Sequence, residues 1–289
     1  MMGTLLLTGA GGIIGRYLAQ ALAERGVPIL ALSRQGKPAA PHPAIRWAPA
    51  PTGGSFAPLF ADYDVRAVIH AAARSPTPDA SPERFVADNI DQTRALIATA
   101  QQHNVSHFLF LSAVSAYGTV NTDTLNETTP VVDPDFYGLS KLVGEKLLTH
   151  SDLPALILRL PAVIGPYAHR NWVARAKAAI LARHPLTVFN PAAPFNNAVY
   201  LEDLAVFLEK LLSRPLSDCD LLVLGAGGQI PIHTAVETLM TALGCTIPVR
   251  TVQTERHSYL IDSRRAITRY GYTPMDITDM LRRFAADPV

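Results

Sequence analysis

The sequence predicts a doubly wound α/β fold built on a parallel sheet, and three observations carry that expectation. Short, uniformly apolar runs recur along the first half, as strands covered on both faces require. Each is followed by a segment of helical periodicity, the alternation from which parallel sheets are made. The chain is also long and apolar enough to fill such a core, with 289 residues, 48% of them hydrophobic and 17% charged.

Taken in order, Leu5-Leu6-Leu7-Thr8 is the first strand. The helix after it sets Ile13, Ile14, Tyr17, Leu18, Ala21 and Leu22 on one face, and Gly26 stands where a C-terminal cap belongs. Residues 28–33 form the second strand, followed by a Pro/Ala-rich patch at 36–55 to which no element is assigned. A strand at 67–70, one helix over about 81–103 and strands at 108–111, 156–159 and 221–224 continue the series. Beyond about Pro166 the pattern loosens. A helix is expected over 172–183, another over 232–243, a short strand at 249–252 and a terminal helix from about Asp276. Neither late piece is large enough for a core of its own. The expected organisation is therefore a sheet domain of residues 1–166 and 198–229, with 167–197 and 230–289 forming a small interleaved C-terminal α+β lobe.

The 25 basic against 24 acidic residues leave a formal charge of +1, without the clustered basic surplus of a nucleic-acid face. No apolar run approaches the roughly 18–20 residues of a membrane span, and no basic segment precedes the first leucines. Cys219 and Cys245 are too few for a disulfide framework, and the nine histidines show no ligand spacing, so no metal site is expected. A soluble cytoplasmic protein with a small-molecule partner is the expectation.

Thr8-Gly9-Ala10-Gly11-Gly12-Ile13-Ile14-Gly15 lies directly between the first strand and the first helix. Glycines at 9, 12 and 15 permit a tight turn, close approach of a pyrophosphate and close helix–sheet packing, and the helix N-terminus offers free N–H groups to phosphate. This is the dinucleotide-binding arrangement of a Rossmann sheet. The second strand then bears on the cofactor. An NAD(H) site wants an acid at its end for the ribose 2′-hydroxyl. Here the strand closes Leu32-Ser33-Arg34 with no acid, and a guanidinium suits a 2′-phosphate, so NADP(H) is expected over NAD(H).

Tyr137-Gly138-Leu139-Ser140-Lys141 opens a helix after Pro130 and Pro134. Four residues are about one turn, so Tyr137 and Lys141 share a face. A phenol of reference pKa near 10 is a poor acid or base at neutral pH. A nearby ammonium and a cationic nicotinamide would favour the phenolate and draw that pKa toward neutrality.

These segments resemble the extended short-chain dehydrogenases/reductases, the NAD-dependent epimerase/dehydratase group. The resemblance rests on TGAGGIIG at 8–15, YGLSK at 137–141 and LSAVSAYG at 111–118. It extends to VIHAAA at 68–73, Asn89 with Thr93, Glu127, Arg159 to Ala162, Gly165-Pro166, VYLEDLA at 199–205 and DSRRAITRYGYTP at 262–274. It implies a nucleotide-linked sugar or related carbonyl or alcohol held between sheet and lobe, and a homodimer formed through two helices. It implies Tyr137 as acid/base and Lys141 as its electrostatic partner. Cofactor contacts are expected from Gly9, Gly12, Ile13, Ile14, Gly15, Ser33, Arg34, His70, Ala71, Ala72, Asn89, Leu111, Tyr137, Lys141 and Pro161. Substrate contacts are expected from Tyr117, Arg170, Asn171 and Asn197. Arg264 or Arg265, beside Asp262, either salts the entry of the last helical segment or meets a phosphate.

The sequence departs from the family at one position. Aligned on Tyr117-Gly118, the usual catalytic hydroxyl falls on Ala113. Ser112, 25 residues before Tyr137, and Ser115, in the following turn, are the candidates to replace it, with Ser112 preferred. Val114 and Ser115 stand where dehydratases of the group carry an Asp-Glu pair, which argues against dehydration. The expected activity is NADP-dependent reduction of a ketone, favouring a nucleotide-linked 4-keto sugar. Epimerisation, reduction of a small non-sugar ketone and non-catalytic sensing of NADP(H) are the alternatives.

Overall fold

The computed structural model describes residues 3–34, 41–51, 55–77, 80–255 and 257–289. The chain begins β1 (Thr4–Thr8), α1 (Ile13–Glu24), β2 (Ile29–Ser33), β3 (Ile45–Pro49), α2 (Ala57–Asp62), β4 (Val65–His70) and α3 (Pro82–Phe85). A π-helical turn (Val86–Asp91), α4 (Gln92–Gln102), β5 (His107–Ala113), a 3-10 turn (Val114–Tyr117), β6 (Thr124–Leu125), α5 (Phe136–Thr149) and β7 (Ala155–Leu160) follow. Next come β8 (Ala162–Ile164), α6 (Trp172–Leu181), β9 (Leu186–Phe189), β10 (Pro194–Phe195), β11 (Ala198–Tyr200) and α7 (Leu201–Leu212). The chain ends with β12 (Cys219–Val223), β13 (Ile230–Pro231), α8 (Ile232–Ala242), β14 (Val249–Val252), β15 (Leu260–Ile261), α9 (Arg264–Tyr270) and α10 (Ile277–Ala286).

Two compact units divide this chain. The first holds residues 1–118, 133–159 and 205–222, and the second holds 119–132, 160–204 and 223–289. The sequence expectation drew its boundaries at 166/167, 197/198 and 229/230. The compact units change over a few residues earlier at two of these points, and they assign 119–132 to the second unit, where β6 pairs with β15.

The first unit is built on a seven-stranded sheet of order β12-β7-β5-β4-β1-β2-β3. The pairings of β1 with β2 and β4, of β2 with β3 and of β4 with β5 are parallel. This is the doubly wound Rossmann sheet that the apolar runs predict. β2 is buried at all five positions, as its unbroken apolar run requires. One face of the sheet packs Leu6, Leu30, Val68, Phe108, Phe110 and Ile157 against Phe60, Leu96, Ile97 and Leu148 from the helices. Gly26 follows the last turn of α1 with φ of +84°, the left-handed conformation that suits a glycine after a helix C-terminus.

Two expectations change here. The Pro/Ala-rich patch contains an edge strand, β3, in which Ile45 and Ala48 are buried and Arg46 is exposed. Edge position tolerates the prolines that hide its apolar pattern. Residues 36–40 and 52–54 of that patch lie outside the described residues. The single helix expected over 81–103 is broken into α3, the π turn and α4. The π turn carries Asn89, which is buried.

The second unit packs Ile164, Val173, Ile180, Phe195, Tyr200, Leu239, Met280 and Phe284 around α6, α8 and α10. Two-stranded pairings, β8 with β11 and β9 with β14 in parallel and β10 with β13 antiparallel, complete it. Buried Lys177 donates to the carbonyls of Phe284 and Asp287 at 2.7 and 2.6 Å, satisfying the end of α10.

Candidate active site

The glycine loop after β1 has the geometry its sequence requires. Gly9 has φ of +71°, and a Cβ there would lie 2.6 Å from Ala72 N and 2.7 Å from the Ala71 carbonyl carbon. A Cβ on Gly15 would collide with the Gly9 carbonyl, so glycine at 15 lets α1 close on the loop. Gly12 caps α1 without a side-chain hydrogen bond, so the N–H groups of Ile13 and Ile14 open the helix uncapped. Ser33 ends β2 beside this loop, 3.2 Å from where a Cβ on Gly11 would stand. Its hydroxyl is buried and has no partner, while the following Arg34 is exposed. A buried donor without a partner beside an open helix N-terminus fits the ribose and pyrophosphate of a dinucleotide.

His70, at the end of β4, stands opposite Thr8 in register. Its Nδ1 meets Thr8 Oγ1 at 2.7 Å, and its Nε2 meets Thr93 Oγ1 at 2.8 Å. Thr8 Oγ1 also accepts from Ala72 N at 3.1 Å. The ring stacks on Phe110 with centroids 5.5 Å apart. Burial, with the Lys141 charge second, pushes its pKa down to about 3, so the imidazole is neutral. His70 thus ties the glycine loop, Ala72 and α4 together. Asn89 does the same one layer out. Its Oδ1 accepts from Arg74 N at 2.6 Å, and its Nδ2 donates to Ser140 Oγ at 2.9 Å, which donates onward to the Tyr137 carbonyl.

Asp135 caps α5, accepting from Gly138 N at 2.7 Å. A Cβ on Gly138 would collide with the Ser115 carbonyl, so the glycine after Tyr137 brings α5 against the turn that carries Ser115. Lys141 is buried, donates from Nζ to the Leu111 carbonyl at 2.8 Å and lies 4.9 Å from the Phe110 ring centroid. Burial lowers its pKa to about 8, and the Glu145 charge opposes the fall. Tyr137 is half-buried, with Phe85 beside its ring at 6.3 Å. Burial first and Asp135 second push the Tyr137 phenol up to about 12, so the chain's own groups favour the protonated form rather than the phenolate.

The two serine candidates differ in the same way. Ser112 Oγ donates to Glu145 Oε1 at 2.5 Å, and Glu145 is held by Arg159 through two further bonds of 2.9 and 2.5 Å. Ser112 is therefore committed, against the preference expressed from its spacing. Ser115 Oγ is buried and has no partner. Ala113 closes β5 between them.

Among the residues expected to meet substrate, Tyr117 is fully buried with the Arg159 guanidinium 4.1 Å over its ring. In the second unit Asn171 caps α6, accepting from Ala174 N and donating to the Val163 carbonyl, both at 2.9 Å. Its side chain is thus occupied by the fold. Arg170 is exposed, and Asn197 Oδ1 is buried without a partner. Pro161 is half-buried between β7 and β8. Asp262 accepts four bonds from Arg264, between 2.6 and 3.0 Å, at the start of α9. Among the described residues no group of three or more His, Cys, Asp or Glu side chains is placed to hold a metal, and no helix is long and apolar enough to cross a membrane.

Sequence reasoning missed Glu145. Two signals mark it: an acid one turn beyond Lys141 on the buried face of α5, and an arginine closing the otherwise apolar run Leu156-Ile157-Leu158-Arg159.

The profile of the NAD dependent epimerase/dehydratase family matches residues 5–220. The spore coat polysaccharide biosynthesis protein SpsK of Bacillus subtilis (strain 168) is 24% identical, over 98% of this chain and 97% of its own length. The UDP-glucose 4-epimerase of Azospirillum brasilense is 26% identical, but the match covers 56% of this chain and 49% of the epimerase. In fold, the chain is similar to the Bordetella bronchiseptica enzyme WbmG solved in complex with NAD and UDP. That match has a TM-score of 0.87 at 20% identity and covers 99% of this chain and 94% of the other. It is also similar to UDP-glucuronic acid 4-epimerase from Bacillus cereus in complex with UDP-glucuronic acid and NAD, with a TM-score of 0.82 at 21% identity and 98% of both chains covered. With the glycine loop, the Tyr137–Lys141 helix and a family match across three-quarters of its length, this chain belongs to the NAD dependent epimerase/dehydratase family, of the extended short-chain dehydrogenase/reductase type.

Proposed function

We propose that the protein is a nicotinamide-dependent oxidoreductase acting at a carbinol or carbonyl carbon of a nucleotide-linked sugar, with reduction of a 4-keto sugar as the net reaction. The observation that carries this is one helix, α5, which presents Tyr137 and a buried Lys141 one turn apart, next to the unpartnered Ser115 hydroxyl. The glycine loop, Ser33, the backbone of Ala71 and Ala72, and Lys141 would hold the dinucleotide, and the nicotinamide supplies hydride exchange with the reacting carbon. In reduction Tyr137 gives its proton to the substrate oxygen. A phenol with pKa near 12 in the free protein is in the correct form to do so. Lys141 then stabilises the phenolate left behind, and it is cationic below about pH 8. Ser115 donates a second hydrogen bond to the same oxygen, which strengthens as charge develops there. Ser112 does not serve, because its proton already belongs to Glu145.

NADP(H) is the proposed cofactor. β2 ends in Ser33 and Arg34 rather than an acid, and an exposed guanidinium there suits a 2′-phosphate. A second reading is epimerisation with a retained NAD, and what favours it is that the similar solved structures hold NAD. The intact Tyr137–Lys141 pair speaks against a purely sensing role. Arg170 and Asn197 of the second unit are the proposed substrate contacts. We further propose a cytoplasmic protein that forms a homodimer; the dimer is supported by Phe136 and Leu139 standing exposed on α5 beside a groove lined by Leu142, Val143, Lys146, Leu147 and His150.

Titration with NADPH and NADH, followed by nicotinamide fluorescence, tests the reading. Preference for NADPH that is lost in Arg34→Ala supports reduction. Preference for NADH, or NAD retained through purification, moves epimerisation to the front, and binding of neither overturns the cofactor assignment.

A further inference from the structure

At the end of β5 two successive residues are tied to two successive turns of α5. The Leu111 carbonyl accepts from Lys141 at 2.8 Å, and the Ser112 hydroxyl donates to Glu145 at 2.5 Å. Glu145 then takes a two-pronged bond from Arg159 on β7, the strand next to β5 in the sheet. Arg159 in turn lies over Tyr117, at the far end of the 3-10 turn that carries Ser115. Ser112, Glu145 and Arg159 are each no more than 5% exposed. One buried carboxylate is thus the meeting point of α5, β5, β7 and, through Arg159, the turn beside Tyr137.

Fold stability alone is a weak reason for such an arrangement. A buried ion pair loses in desolvation about what it gains in attraction, and apolar side chains of similar volume often serve as well. An apolar set would leave Lys141 without a counter-charge. Lys141 is bonded to the Leu111 carbonyl and lies beside the Phe110 ring, and the titratable groups whose charge bears on it are neutral His70 on β4 and Glu145, one turn on along α5, which is itself paired with Arg159. Among these Glu145 is the anion. Asp135, at the start of α5, acts on Tyr137 instead.

We propose that Glu145 is a positioning residue of this site. Its carboxylate, clamped by Arg159 and Ser112, fixes the end of β5 and its Ser115 turn against α5 and serves as the counter-charge that keeps Lys141 an ammonium. The role in turnover rests on the Tyr137–Lys141 reading, but the charge relation belongs to the nucleotide-free protein and is measured there.

Lys37, Lys141, Lys146, Lys177 and Lys210 are the chain's five lysines, so selective 13C labelling at lysine Cε gives a countable NMR spectrum in which Lys141→Met assigns the resonance. In the wild-type protein burial is expected to bring the Lys141 midpoint down to about 8. Glu145→Gln keeps size and hydrogen bonding but removes the charge. The expected result is a folded protein whose Lys141 midpoint falls by about one unit or more, as loss of a nearby anion demands. Ser112→Ala keeps every charge and leaves the midpoint where it was. The sign separates this role from simple packing, because a loosened, wetter site would move Lys141 up toward the free lysine value near 10.4. An unchanged or raised midpoint in Glu145→Gln overturns the proposal. If that variant does not fold, Glu145→Asp, which withdraws the carboxylate by one methylene, carries the same test with a smaller expected fall, and a rise or no change overturns it equally. NADPH and NADH titrations of the wild type report separately on the functional reading.

Discussion

Two kinds of buried polar group stand side by side in the first unit. In one, every polar atom is used. His70 is bonded through both ring nitrogens, Asn89 reaches Arg74 and Ser140, and Glu145 accepts from Ser112 and Arg159. In the other, Ser33 and Ser115 bury a hydroxyl that touches no partner. His70 and Ser33 lie at strand ends, Ser115 in the turn after β5, and Asn89 and Glu145 on the helices packed beside them. The difference is that saturated groups have nothing left for a ligand, whereas an orphaned buried donor costs stability unless something arrives to accept from it. Saturated clusters hold the loops in place, and on the proposed reading the orphaned hydroxyls of Ser33 and Ser115 are where a ligand completes the site.

The largest effect that sharpens this contrast is expected at Tyr137. Tyr137→Phe removes the transferable proton and little else, so turnover should fall by roughly 10³-fold while nucleotide affinity stays within about two-fold. Steady-state rates beside a fluorescence titration check this. Equal losses in both would mean that Tyr137 serves binding alone.

Next comes His70, whose pKa is about 3 in the folded protein against 6.5 when free. The unfolded chain therefore binds one more proton than the folded one between these values. Stability should be fully present above about pH 6.5 and fall on acidification by about 1.4 kcal/mol per pH unit toward pH 3. Urea unfolding between pH 4 and 7 measures the slope, and His70→Gln should reduce it by one proton.

The smallest effect is expected at Ser33. Removing an unpartnered buried hydroxyl should leave the melting temperature of the nucleotide-free protein unchanged or slightly raised. Nucleotide affinity should fall by about ten-fold if that hydroxyl meets the ribose, the worth of one hydrogen bond of about 1.4 kcal/mol.

The fold was largely legible because its signals are local. The run Leu5 to Thr8, the glycines that follow it and the capping position of Gly26 each dictate structure within a few residues. What escaped depends on distant partners. β3 became legible only through its pairing with β2, since Pro49 and its neighbours mask the pattern. The break at Val86–Asp91 leaves no trace in helical periodicity. Spacing to Tyr137 favoured Ser112, and nothing along the chain disclosed that Glu145, 33 residues later, takes its proton. The glycine of YGLSK was visible, but its reason, the Ser115 carbonyl packed against it, was not.

The most direct test sets Ser115→Ala against Ser112→Ala, comparing kcat on a nucleotide-linked sugar that the wild type turns over with the melting temperature of each variant. Ser115→Ala should lower kcat by about 10²-fold, the worth of one donor to a developing oxyanion, with the melting temperature unchanged. Ser112→Ala should destabilise the fold by about 1–3 kcal/mol, because Glu145 loses a donor in a buried site, and lower kcat far less. The reverse pattern, a kcat loss at Ser112 and a stability loss at Ser115, would contradict the account.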